Sequence, residues 1–203
     1  MAAADTPFSL VAGHPALDLV NTLDNRFREA GAAELLGDYT ALLRFTEQSG
    51  LLSAAQTRAL QRGAGRAEGE RVITAVRDLR EAAASVLYSR LEDGASLPRD
   101  VRTLESYFHS ARAQQELVAT ASPQLAWGWQ LSSTTQAELP VWILSLQTSA
   151  LLTSEAMGRL RSCQTETCRW LFLDTSKNHS RRWCDMKVCG NRMKARRFQA
   201  RRT

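Results

Sequence analysis

All four cysteines of the 203-residue chain lie between positions 163 and 189, as Cys163-x4-Cys168 and Cys184-x4-Cys189. Two close pairs joined by a longer excursion are a compact way to bring four sulfurs to the corners of a tetrahedron, the geometry zinc prefers. Two disulfides would require an oxidising compartment, and Met1-Ala-Ala-Ala-Asp5 lacks the charged start and apolar stretch of an export signal. A catalytic zinc keeps one position open for water, whereas four thiolates close the shell. His179 falls outside the paired spacing and reads as a surface or phosphate-contact residue. One structural Zn²⁺ on Cys163, Cys168, Cys184 and Cys189 is therefore expected. A segment this small has little core of its own, so metal binding would contribute on the order of 10 kcal/mol to its folding.

The excursion between the pairs contains Trp170-Leu-Phe-Leu173, an apolar run of strand character that predicts one arm of a hairpin. Asp174-Thr-Ser176 is a turn signal and Lys177-Asn-His-Ser-Arg-Arg182 a polar return. After Cys189, Met193 to Arg202 is a strong helix former. Gly190 is read as supplying a special backbone conformation beside the metal, and Asn191 either as a base-reading group or as a turn residue. The sum is a small treble-clef-like finger, a β-hairpin followed by a helix.

Charge separates along the chain at the same place. Residues 159–203 hold thirteen Lys and Arg against three acids, a net of +10, while residues 1–158 hold thirteen Arg against eighteen acids, a net of −5. The overall +5 hides that division, which predicts a domain over 1–158 and a basic module over 159–203. Four thiolates against one Zn²⁺ would leave roughly +8 on the module. Lys177, Arg181 and Arg182 sit on the excursion, and Arg192, Lys194, Arg196, Arg197, Arg201 and Arg202 on or after the terminal helix. A helix so charged suits a major groove or a row of phosphates, which makes DNA the expected partner. The competing reading is an RNA- or protein-binding zinc module, with Trp170, Phe172 or Trp183 stacking on bases.

The acidic part reads as a helical bundle with minor β structure, so the fold class is mainly α. Asp38 is placed to cap a helix through Leu42, Leu43 and Phe45 that stops at Gly50, and Ser53 to start another from Ala54 to about Arg62. Gly63 to Gly69 reads as a break. Arg71 to Arg90 carries Val72, Ile73, Val76, Leu79, Ala83, Val86 and Leu87 on one face. Further helices are expected after Pro98 and from Pro140, with another start at Thr153-Ser-Glu155. Phe8 to Val11 reads as a short strand or extended entry, and Leu125 to Leu131 as a hairpin arm. Apolar residues are 44%, enough for one core, and no apolar run approaches the roughly 20 residues of a membrane span. A cytoplasmic protein that does not enter membranes is expected.

Little in the body suggests catalysis. His14, Asp18 and Asn21 could line a polar ligand site, since Asp18 and Asn21 are one helical turn apart; the alternative is that they cap or cross-link helices. Trp127, Trp129 and Trp142 are read as core rather than a ligand pocket. The sequence offers no nucleophile–base pair, catalytic metal set or cofactor loop, so no enzyme is expected.

Arg182-Trp-Cys-Asp-Met-Lys-Val-Cys-Gly-Asn-Arg-Met-Lys-Ala-Arg-Arg197 closely resembles the CGNR zinc finger, named for the motif that is Cys189 to Arg192 here. Cys163-x4-Cys168-Arg-Trp-Leu-Phe-Leu-Asp-Thr-Ser176 is similar to the first half of the same finger. Gly13-His-Pro-Ala-Leu-Asp-Leu-Val-Asn-Thr22 resembles the start of the ABATE domain that accompanies it. The resemblance covers nearly the whole chain. It implies a bacterial DNA-binding regulator of the stress-induced kind; the helical domain is expected to sense a small-molecule or protein effector or to form a homodimer. The finger's four cysteines map onto the four in this chain.

Overall fold

Helix starts follow the capping chemistry of the sequence. Pro15–Asn21 (α1) begins behind His14, whose Nδ1 accepts from the Ala16 amide. Tyr39–Gln48 (α2) begins at Asp38, which accepts from the Ala41 amide at 2.8 Å. Ser53 and Gln56 form a reciprocal capping box at the head of Ala54–Gly63 (α3). The computed structural model describes residues 7–129 and 136–200.

Arg66–Leu91 (α4) starts five residues before the expected position and runs through Gly69. Gly69 does not break the helix because it is a contact point: a Cβ there would lie 3.0 Å from the Cβ of Tyr39. The absent side chain lets α4 approach α2 closely. Pro98–Ala113 (α5) and Leu139–Leu152 (α6) follow, each with proline in its first turn. Leu139, Val141, Trp142, Ile143, Leu144, Ser145, Thr148 and Leu151 are all buried, so α6 is hydrophobic around its circumference. It packs against α1, α2, α4 and α5 and forms the centre of the bundle. Thr153 to Glu155 leads into a 3-10 turn, Glu155–Arg159.

The β structure consists of small antiparallel pairs. Leu23–Asp24 (β1) pairs with Ala33–Glu34 (β2). Arg80, 3% exposed on α4, holds that ribbon by two 2.7 Å hydrogen bonds to Glu34 and also pairs with Glu81. Gln115–Ala119 (β3) pairs with Leu125–Trp129 (β4); Leu131, included in the expected arm, lies outside the described residues. At the base of this hairpin Trp129 stacks on Trp142, with ring centroids 6.0 Å apart. Trp127 points the same way two residues earlier but is 66% exposed, because the hairpin extends past the edge of the bundle. The core reading thus holds for Trp142, in part for Trp129, and not for Trp127.

Phe8 to Val11 makes no strand. Phe8 packs edge-on against Phe45, with ring centroids 5.3 Å apart. Downstream of it, Ala12 reaches the C-terminal module. Among the described residues no helix is long and apolar enough to cross a membrane.

Candidate metal centre and nucleic-acid interface

Leu160–Ser162 (β5) pairs with Leu171–Leu173 (β6), and the first cysteine pair lies in the turn between them. This corrects the expected hairpin. The partner of Leu171–Leu173 precedes the first cysteines, and the polar segment 177–182 is not its second arm. Burial decides the pairing: Leu160, Leu171, Phe172 and Leu173 are all buried, and the return segment has no apolar residue to contribute.

The knuckle is stabilised by its own backbone. The Cys163 amide donates to the Trp170 carbonyl at 2.8 Å, and the Cys168 and Arg169 amides both donate to Thr165. The Cys163 sulfur accepts from the amides of Cys184 and Thr165, and the Cys168 sulfur from that of Trp170. Arg169 completes the turn at φ = 50°. The second pair is positioned differently. Cys189 sits in a single π-helical turn, Met186–Gly190, that runs into Asn191–Ala200 (α7). Asp185 caps the turn by accepting from the amides of Lys187 and Val188. Gly190 does not have a positive φ, so no special backbone conformation requires glycine there. A Cβ there would come within 2.5 Å of the Met186 sulfur.

The four sulfurs converge. All four side chains are buried, and their Sγ atoms lie within 4.8 Å of one another. Cys168 and Cys184 are 3.6 Å apart, and Cys184 and Cys189 3.7 Å. A tetrahedron with Zn–S bonds of about 2.3 Å has S···S edges of about 3.8 Å, whereas a disulfide requires about 2.0 Å. The Cys163 sulfur, accepting from the Cys168 and Cys184 thiols, is held low, while those two are pushed up, foremost by the same Cys163 contact and also by burial. Four sulfurs this close cannot all ionise alone; a divalent cation in their midst replaces the shared protons. The donor set and its spacing fit one structural zinc ion. His179 is exposed, bonded through Nδ1 only to the Asp174 carbonyl, and takes no part in the cluster.

The helical body grips the first knuckle. Asn21 donates from Nδ2 to the Leu171 carbonyl and accepts at Oδ1 from the Leu171 amide, both at 2.9 Å. Asp24 accepts from the Trp170 indole at 2.9 Å, and the Tyr88 hydroxyl donates to the Arg169 carbonyl at 2.9 Å. The Arg169 guanidinium lies 4.2 Å from the Phe27 ring centroid and pairs with Glu92. Asp18 accepts from the Ala12 amide, and the Ala12 carbonyl accepts from the Leu173 amide at 2.8 Å. Burial pushes Asp18 up to about 6 and lowers His14. His14, Asp18 and Asn21 each make a structural contact: one caps α1, one holds the Ala12 strap, and one holds β6. No local signal marks Tyr88, Phe27 or Asp24 as partners of a segment 80 or more residues away.

The predicted basic residues divide into two sets. Lys177, Arg182, Arg192, Lys194 and Arg196 are exposed; Arg182 is also bonded to Gln164. Arg181 faces inward. Its guanidinium donates to the carbonyls of Val11, Trp183 and Cys184 and lies 4.4 Å from the Phe172 ring centroid. These contacts give Arg181 a structural role in the fold. The side chain of Arg197 and all of Arg201 and Arg202 lie outside what the structure describes. Of the aromatic residues expected to stack on bases, Phe172 is fully buried and Trp170 is held by Asp24.

A helical bundle joined to a four-cysteine finger defines a zinc-finger protein with an N-terminal α domain. Comparison with known families gives that class a narrower identity: residues 13–155 match ABATE, described as "Putative stress-induced transcription regulator", and residues 159–202 match the CGNR zinc finger. The chain belongs to this ABATE family and carries its finger at the C-terminal side. Both are regulator and zinc-finger families, not enzyme families. No curated protein matches the chain significantly.

Proposed function

We propose that the protein is a zinc-dependent DNA-binding transcription regulator, with residues 159–203 as the binding module and residues 1–158 as a sensing or dimerisation domain. The observation that carries this reading is the position of the bases. Arg192, Lys194 and Arg196 stand exposed on a helix that begins directly after the last metal-binding cysteine, within a segment of net +10. Such a helix, fixed at one end by the metal, offers its charge to phosphates. Lys177 and Arg182 are exposed bases of the same segment, and Arg197, Arg201 and Arg202 add to its charge in sequence. Arg181 is left out because its Nε and Nη2 donors already hold three carbonyls of the fold.

The body offers a cleft of about 530 Å³ to an effector, lined by Asp38, Tyr39, Gln61, Arg66, Glu70 and Arg77. Its mixed charge suits a small polar molecule better than an apolar one. Duplex binding is tested by anisotropy titration of the zinc-loaded protein at several salt concentrations. If about five phosphates are neutralised, log K falls with log salt at a slope near −4.5. Binding that is absent or insensitive to salt overturns the proposal, and stronger binding to single-stranded RNA in competition transfers it to RNA.

A further inference from the structure

We infer that the helical body prebuilds one half of the zinc site, and that the metal orders only the other half together with the basic helix. The two cysteine pairs differ in what holds them. Behind Cys168, three consecutive residues are each fixed by the body: the Arg169 carbonyl by Tyr88, the Trp170 indole by Asp24 and the Leu171 backbone by Asn21. The strand they enter has its three side chains buried, and its last amide is bonded to Ala12. None of these contacts involves a sulfur. They give Cys163 and Cys168 their positions before any metal arrives.

The second pair has such support only as far as Cys184, through Arg181, and none beyond it. The hydrogen bonds of Asp185, Gly190 and Asn191 run to neighbours within five residues. Between 185 and 200, Cys189 has the only buried side chain among the described residues. Met186 is 46% and Val188 53% exposed. Arg181 reaches the carbonyls of Trp183 and Cys184, and the turn beyond depends on the sulfurs of Cys184 and Cys189. A segment with local hydrogen bonds and almost no buried apolar surface lies at the low end of local stability. Zinc bound to a preformed Cys163–Cys168 half thus captures the second pair and fixes the start of α7. Zinc occupancy sets whether the basic helix is presented, while the finger's hairpin remains part of the body's core.

Amide hydrogen exchange on the full-length chain, zinc-loaded and chelator-treated, tests this. The amides of Leu171 and Leu173 are expected to keep their protection in both samples. Amides from Cys189 to Arg196 are expected to exchange at least about tenfold faster without metal. Cys184→Ser should reproduce the chelated pattern without chelator. Loss of protection in Leu171–Leu173 together with α7 would show that the finger unfolds as a unit, and would overturn the inference. So would collapse of the α6 amides on chelation, or unchanged protection of α7.

Discussion

Asn21 pairs with Leu171 as a neighbouring β-strand would, its side-chain amide donating to the carbonyl and accepting from the amide across 150 residues of sequence. Both groups are buried. Removing the partner would leave a peptide N–H and a C=O unsatisfied, each at a desolvation cost of about 1–3 kcal/mol. Asn21→Ala is expected to lower unfolding stability by about 2–4 kcal/mol and to weaken zinc retention against a competing chelator. Denaturant unfolding and chelator competition measure the two effects. An Asn21→Ala protein matching the parent in both would remove Asn21 from the coupling between body and finger.

Asp18 gives the fold a pH dependence of unusual sign. Its folded pKa is raised to about 6, chiefly by burial, from 3.8 for an ordinary aspartate. The native state therefore holds this proton more tightly than the unfolded state does between those values. The stability linked to that proton is fully present below about pH 4 and lost as pH rises through about 6. The shift corresponds to about 3 kcal/mol across the window. Asp18→Asn should remove this component, so the stability difference between parent and variant should change with pH between 4 and 6. Comparing variant with parent at each pH cancels the acid release of zinc that both share. A difference independent of pH would mean that Asp18 does not titrate there.

Cys184 and Cys163 contribute one sulfur each to the same cluster, so the loss of either should have the same consequence for the metal. Either change to serine should reduce bound zinc from one equivalent to none, read by metal analysis of the purified chain. A retained equivalent in either variant would refute the four-sulfur assignment.

Much of this architecture is legible in local chemistry. Asp38 and Ser53 cap helices where their side chains permit, Pro98 and Pro140 open two more, and the paired cysteines converge. The caps and prolines depend on residues a few positions apart, and the cysteines on two pairs each five positions apart. What sequence reading misses depends on tertiary choice. Gly69 continues a helix because Tyr39 occupies the space a side chain would take. Leu171–Leu173 pairs backwards with Leu160–Ser162 because both must bury apolar side chains. Arg181 has the composition of a phosphate contact but lies beside three carbonyls that need donors.

That last distinction separates two classes of variant. Arg181→Ala leaves the Val11, Trp183 and Cys184 carbonyls without this donor and removes the stack on Phe172. A destabilisation of about 2–3 kcal/mol is expected, with weaker zinc retention. Lys194→Ala and Arg196→Ala alter exposed side chains, so stability should stay within about 0.5 kcal/mol of the parent and zinc content should be unchanged. Their effect should fall on duplex binding alone, the salt slope shrinking by about 0.9 for each phosphate no longer neutralised. Thermal unfolding, metal analysis and anisotropy on the same three proteins separate the two roles. If Arg181→Ala folds and holds zinc normally but loses only duplex binding, its guanidinium belongs with the DNA-facing set after all.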